Sequence, residues 1–262
     1  MNTTNNIAVI GFGPSGSLIS GLLKGSVPGE NNIAVDDNPE SLNASDAGKK
    51  ILVSPGKPFT GEISLVGVNI VFMVLDPSEG NSLTYAQAVT TAAMQKNTYS
   101  YAFLIKPPGG WTEDDKGVYR SFDGAALIDI DWIEKKREKG HEDAARIGFN
   151  FLAHSLGFIA GGLESGKIGL EGFKTATAGK LAGFAATSVS RPDTLMIMTM
   201  SSINASRVRS AILFLPDTLD NLEVRRIFLG VSAMFPDSQD FLSFRVPGVE
   251  PFRIFTMLMT PI

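Results

Sequence analysis

The sequence predicts an α/β protein: a Rossmann-like parallel-sheet domain at the N-terminus, a long central helix, and a smaller α/β domain after it. Three observations predict this. Short apolar runs alternate with helical periods through the first half, as in a doubly wound sheet with helices on both faces. The run NIVFMVL, Asn69 to Leu75, is almost continuously apolar, which suits a parallel strand covered on both faces. AARIGFNFLAHSLGFIAGGL, Ala144 to Leu163, is apolar all round and reads as a mostly buried helix. These place a first domain at 1–143, the central helix at 144–165 and a second domain at 166–262.

Taken in order, Ile7 to Ile10 is a first strand, and Ser17 to Leu23 begins a helix. Asn32 to Val35 is a second strand, ending in Asp36-Asp37, and Lys50 to Val53 is a short extended piece before the Pro/Gly-rich loop SPGKPFTGE. After the strand that ends at Leu75, Thr84 to Gln95 has helical spacing, and Ser100 to Ile105 and Ala125 to Ile130 are strands. WIEKKREKGHED is a charged, exposed helix or loop. Beyond the central helix, TLMIMTM, SAILFLP, FLSFRVP and FRIFTMLM read as strands, with a helix around Leu222 to Phe235. In TLMIMTM a strand would put Met196, Met198 and Met200 on one face, and Leu195 and Ile197 on the other.

Composition excludes several function classes. The chain has 262 residues, 44% of them apolar and 19% charged, as an ordinary globular protein has. A net charge of −4 offers neither a basic face for nucleic acid nor a polybasic run for anionic lipid. There is no cysteine, so disulfides, thiolate nucleophiles and cysteine-held metals are excluded. MNTTNN lacks the features of a signal peptide. No apolar run reaches the ~18 residues of a membrane span. A cytoplasmic protein without direct membrane insertion is expected.

The first strand runs into Gly11-Phe12-Gly13-Pro14-Ser15-Gly16, a strand, G-x-G-x-x-G, helix pattern. Its glycines suit a tight turn, a close approach to pyrophosphate and a helix contact, and Asp36 stands about twenty residues on, where a ribose 2′-hydroxyl would be bound. Formally this is an NAD(P) or FAD fingerprint, and an oxidoreductase using the Gly11 to Gly16 loop is one reading. Nothing downstream supplies redox chemistry. His141 follows KREKG on a charged segment, and His154 lies in the apolar helix. Surface and core roles account for both. Glu113-Asp114-Asp115 and Asp36-Asp37 read as solvated loop charges, with no metal expected. Ser15, Ser17 and Ser155 have no base beside them in sequence, and no G-x-S-x-G elbow occurs.

The order of several strings resembles the FtsZ family of the tubulin superfamily. IAVIGFGPSG is similar to its opening strand and first glycine loop. AVDDNPESLNASDAGKKILV is similar to its second strand and the segment after that strand, with SDA at Ser45-Asp46-Ala47. VNIVFMVLDPSEGNSLTYAQAVTTAA is similar to its nucleotide-site strand, signature loop and helix, and YAFLIKPPGGW to a strand ending in T-R-P-F. The helix from Ala144 resembles its central helix, and FRIFTMLMTPI its last strand.

The resemblance implies GTP at the cleft, with polymerisation and GTP hydrolysis, and the departures bear on each. The family loop G-G-G-T-G-[ST]-G holds phosphates on backbone N–H groups. Here it reads Ser78-Glu79-Gly80-Asn81-Ser82-Leu83-Thr84, keeping Gly80 alone of the glycines and facing phosphate with a carboxylate. The family's N-x-D-x-x-D, which positions the attacking water in a neighbouring subunit, aligns with Gly166 to Lys174, where Glu171 meets the first aspartate and Lys174 the second. On the central helix, Ala145 replaces a stacking aromatic and Phe149-Asn150 the base-reading pair, though Asn150 retains a side-chain amide; Asp131 replaces an asparagine. The cleft so implied comprises Gly11, Gly13, Gly16, Asp36, Gly80, Asn81 and Asn150, with no catalytic residue. The expectation is an FtsZ-like chain without GTP hydrolysis and without bound GTP or GDP. Its role would be structural: self-association, or docking to another FtsZ-like or protein partner, in cytoskeletal assembly, division or membrane remodelling. The sequence stops at Ile262, so the family's C-terminal linker and adaptor-binding peptide are expected to be absent.

Overall fold

The computed structural model describes residues 5–54, 57, 59, 62–106, 115–238, 240–247, 249 and 253–261. Ten strands form one sheet in the order β3-β2-β1-β4-β5-β6-β7-β10-β8-β9. The first six are β1 (Ile7–Phe12), β2 (Asn32–Asp36), β3 (Lys49–Leu52), β4 (Ile70–Leu75), β5 (Tyr99–Lys106) and β6 (Gly124–Asp129). They are followed by β7 (Lys180–Ser188), β8 (Ser210–Pro216), β9 (Asp240–Val246) and β10 (Arg253–Pro261). Strands β1 to β7 run parallel, and β10 inserts antiparallel between β7 and β8. The two halves of the sheet meet where Ala125, Ala126 and Leu127 pair with Leu181, Ala182 and Gly183.

Helices cover both faces because strand residues alternate between two buried sides. Ile7, Val9, Phe72 and Phe103 face a core shared with α1 (Gly13–Leu22), α5 (His141–Glu164) and α6 (Leu170–Thr177). Ile10, Phe12, Met73 and Leu104 face the opposite side, against α3 (Ser82–Gln95). Leu213, Leu215 and Leu258 pack on α7 (Asn221–Ser232). Two short helices, α2 (Pro39–Ala44) and α4 (Ile130–Arg137), fill the remaining connections. Among the described residues, no helix is long and apolar enough to cross a membrane.

Four sequence readings change. TLMIMTM is no strand: Pro192–Met198 is a 3-10 helix. Proline at its start fixes φ and removes an N–H that a ladder would need, and Leu195 is buried beneath α7 instead. The alternation of Met196 with Ile197 falls on side chains outside the described residues. A strand without a sequence signal appears at β7, whose core is Ala182, Gly183, Ala185 and Ala186; small residues with no alternation hide a strand that is buried on both faces. Helix α5 starts at His141, with Glu142 and Asp143 in its first turn, where acidic groups suit the helix dipole. His154 is exposed on it, its ring lying 5.6 Å from that of Phe255. Glu113 and Asp114 lie outside the described residues.

Candidate functional site

The chain leaves β1 to one side through α1 to β2, and later returns to its other side at β4. That reversal of strand order opens a crevice at the carboxyl ends of β1 and β4, the place where open α/β sheets bind ligands. Six of the seven expected site residues lie at or beside it: Gly11 near the end of β1, Gly13 and Gly16 in the start of α1, Asp36 at the end of β2, and Gly80 and Asn81 after β4.

The glycines are accounted for by packing within the chain. A Cβ on Gly11 would lie 2.0 Å from the Gly16 carbonyl oxygen, and one on Gly16 would lie 2.3 Å from the Val74 carbonyl oxygen. Backbone meets backbone at both places, so neither position admits a side chain. Gly13 has φ +71°, the left-handed region that glycine occupies at least cost. Above it sits the second loop, with Glu79 Oε2 at 3.1 Å and Ser82 Cβ at 3.2 Å from where a Gly13 Cβ would be. Gly80 has φ +49° and open space around it.

Glu79 decides the electrostatics. Its Oε2 accepts from the Ser15 backbone N–H at 2.9 Å, and its Oε1 accepts from the Ser15 hydroxyl at 2.5 Å. Ser15 lies in the first turn of α1, whose N-cap makes no side-chain hydrogen bond. A helix N-terminus presents unpaired N–H groups and the positive end of the dipole, a ready anion site. Here the anion is the protein's own carboxylate. Burial raises the Glu79 pKa above the ordinary 4.5; the two Ser15 bonds oppose the rise, and the charges of Asp76 and Asp36 add to it. Asp76, at 7% exposure, is also raised by burial, against bonds from the Ser78 hydroxyl and N–H.

The rim is closed by further bonds. Asp37 accepts from the Asn81 side-chain amide at 2.9 Å and from the Tyr85 hydroxyl at 3.0 Å. Those two bonds hold its pKa below the usual aspartate value. Asp36, 3% exposed, accepts from the Asn38 N–H at 3.1 Å and from the Ser41 hydroxyl. The Asp36 carboxylate is therefore engaged within its own loop.

Asn150 stands apart. It lines a groove of about 550 Å3 along α5, opposite Leu22 and Ser26. Leu22 ends α1, and a ten-residue helix spans about 15 Å from the glycine loop to that end. Glu171 and Lys174 lie on α6, joined by a 3.1 Å ion pair. The residues that sequence reasoning passed over are Ser15, Asp37 and Tyr85, whose partners lie 64, 44 and 48 positions away. No local pattern carries such contacts; only the charge of Glu79 in a phosphate-type loop gave a signal. Asp131, Glu134 and His141 also converge, each with a ligand-type atom within 4.8 Å of the others. His141 Nδ1 lies 3.0 Å from Glu134 Oε2, so this contact ties α4 to α5 across their turn.

Searched by sequence, the chain matches no family model and no curated protein. Searched by structure, it is similar to an empty FtsZ dimer from M. jannaschii, with a TM-score of 0.75 at 16% identity, covering 99% of this chain and 89% of that one. CetZ2 from Haloferax volcanii, a GTPγS-bound protofilament, gives 0.74 at 15% identity over 98% of this chain and 92% of that one. CetZ from Methanosaeta thermophila gives 0.74 at 13% identity, with 98% and 87% covered. The fold is therefore that of FtsZ and CetZ across nearly the whole chain.

Proposed function

We propose that this chain is an FtsZ-like structural protein that assembles with its own copies or with another FtsZ-like partner and neither binds nor hydrolyses GTP. The observation that carries the reading is the Glu79 carboxylate on the Ser15 N–H. A phosphate entering there must displace one anion while facing two more carboxylates, Asp36 and Asp76. At an effective dielectric near 20, like charges ~4 Å apart repel by about 4 kcal/mol, roughly a thousandfold in affinity. The pairing of Glu171 with Lys174, in place of two aspartates, supports the loss of hydrolysis. Support for assembly comes from the neighbours: the FtsZ is a dimer and CetZ2 a protofilament. Neither nucleic acid nor a membrane is part of the proposal.

Thermal denaturation with Mg·GTP, Mg·GDP, NADH and FAD tests it. The expected result is an unchanged midpoint with all four. Binding would stabilise by about 2.7 kcal/mol at a hundredfold excess over Kd. Such a response to GTP or GDP would instead support a GTP-binding, polymerising FtsZ-like protein. A response to NADH or FAD alone would support the dinucleotide reading of Gly11, Gly13 and Gly16.

A further inference from the structure

We propose that residues 78–82 form a gate over the crevice, fastened at two ends, and that a proton on Glu79 locks it. The geometry supplies both fastenings. One residue before Gly80, Glu79 reaches α1 and accepts from the Ser15 N–H and hydroxyl. One residue after it, Asn81 reaches the other way and donates to Asp37, in the loop after β2, at 2.9 Å. Among the described residues, both hydrogen bonds from this loop to α1 belong to Glu79. Gly80 is the hinge between them: its φ is +49° and no atom stands within 4 Å of a would-be Cβ, so the chain can turn there without displacing a neighbour. This gate is a regulation of the same crevice and rests on the reading of Glu79 as its occupant.

The groups around Glu79 set the response. Asp76 stands at the end of β4, and Asp36 and Asp37 at the end of β2. Helix α1 carries no charged residue, and α3 offers only the Tyr85 hydroxyl, which Asp37 engages. Lys106, at the end of β5, is paired with Asp129 at 2.9 Å. The closed gate therefore holds a charged Glu79 beside Asp36 and Asp76, both buried, and like charges oppose one another there. A proton on Glu79 removes that opposition and keeps the contacts. Oε2 still accepts from the Ser15 N–H, and the acid O–H donates to Ser15 Oγ, because a serine hydroxyl both donates and accepts.

The raised Glu79 pKa has the same sign. The closed state holds the proton more tightly than an open, solvated Glu79 does, so closure strengthens as pH falls through the folded pKa toward the ordinary 4.5. At the other end the sign is reversed: the Asn81 and Tyr85 bonds hold the Asp37 pKa below the ordinary 3.8, so that fastening stays charged throughout this window. The gate swings at its Glu79 end.

Amide exchange of the ligand-free protein, followed by NMR from pH 7 to pH 5 and corrected for the intrinsic rate at each pH, tests the gate. The Ser15 N–H is expected to be less protected than that of Ile10, in the core of β1, and to gain about threefold or more in protection as pH falls. Glu79→Gln, of the same shape without a titrating group, should hold Ser15 protection constant over that range. Asn81→Ala, which removes a side chain that caps no helix, should lower Ser15 protection at every pH and leave its pH dependence in place. A Ser15 amide that exchanges only together with Ile10 would overturn the proposal, as would a protection that ignores pH or a pH dependence that survives Glu79→Gln. Unchanged protection in Asn81→Ala would overturn the two-ended fastening. Nucleotide takes no part in this experiment, so its failure would leave the thermal-denaturation result standing.

Discussion

Glu79 is the residue on which the crevice turns, and its chemistry fixes the sign of a pH effect. Its folded pKa lies above the ordinary 4.5. Between those two values the folded state holds more proton than the unfolded state, so stability falls as pH rises through that window. Glu79→Gln keeps the shape and removes the titration. The wild type should therefore gain stability relative to Glu79→Gln as pH falls from 7 toward 5, read as denaturant midpoints at each pH. A second prediction concerns Gly11. With the Gly16 carbonyl oxygen 2.0 Å from its would-be Cβ, Gly11→Ala should cost about 3 kcal/mol or more, since backbone cannot give way as a side chain does. Gly80→Ala meets open space at φ +49° and should cost only about 1 kcal/mol. Urea unfolding of both variants checks the difference. The glycine pattern was legible in the sequence because backbone geometry tolerates nothing else there. The Glu79–Ser15 contact was not, because no local rule joins residues 64 positions apart.

Among the elements, legibility followed period and composition. Strands β1, β4, β5, β8 and β10 announce themselves as apolar runs, and α5 by its length. β7 was silent because alanine and glycine carry little strand signal, and TLMIMTM misled because alternation cannot see the proline that starts its 3-10 turn. Helix α7, which the sequence places around Leu222 to Phe235, starts at Asn221 behind a cap that the apolar pattern did not reveal. Asp220 accepts from the Glu223 N–H at 2.8 Å and Glu223 reciprocates at 3.1 Å, a full capping box on α7. Asp220→Ala should therefore lower stability by about 1 kcal/mol. In α5, Gly161 has no atom within 4 Å of a would-be Cβ. Gly161→Ala should raise stability by about 0.5–1 kcal/mol, since alanine loses less backbone entropy in a helix. Guanidinium unfolding curves give both signs directly.

At the scale of the molecule, the fold is shared with FtsZ and CetZ at 13–16% identity. A sheet and its helices are held by apolar pattern, which tolerates substitution as long as volume and period are kept. A phosphate site has no such latitude, because one carboxylate in the wrong loop changes the charge that the whole crevice presents. That contrast is why the fold was legible from collinear weak strings, whereas the reading proposed for the cleft rests on the position of a single side chain. Sedimentation velocity over a range of protein concentrations, with and without Mg·GTP, tests the central claim most directly. The account predicts that assembly grows with protein concentration and is the same in both buffers. Assembly that appears only with GTP would contradict it, and a monomer at every concentration would contradict assembly with its own copies.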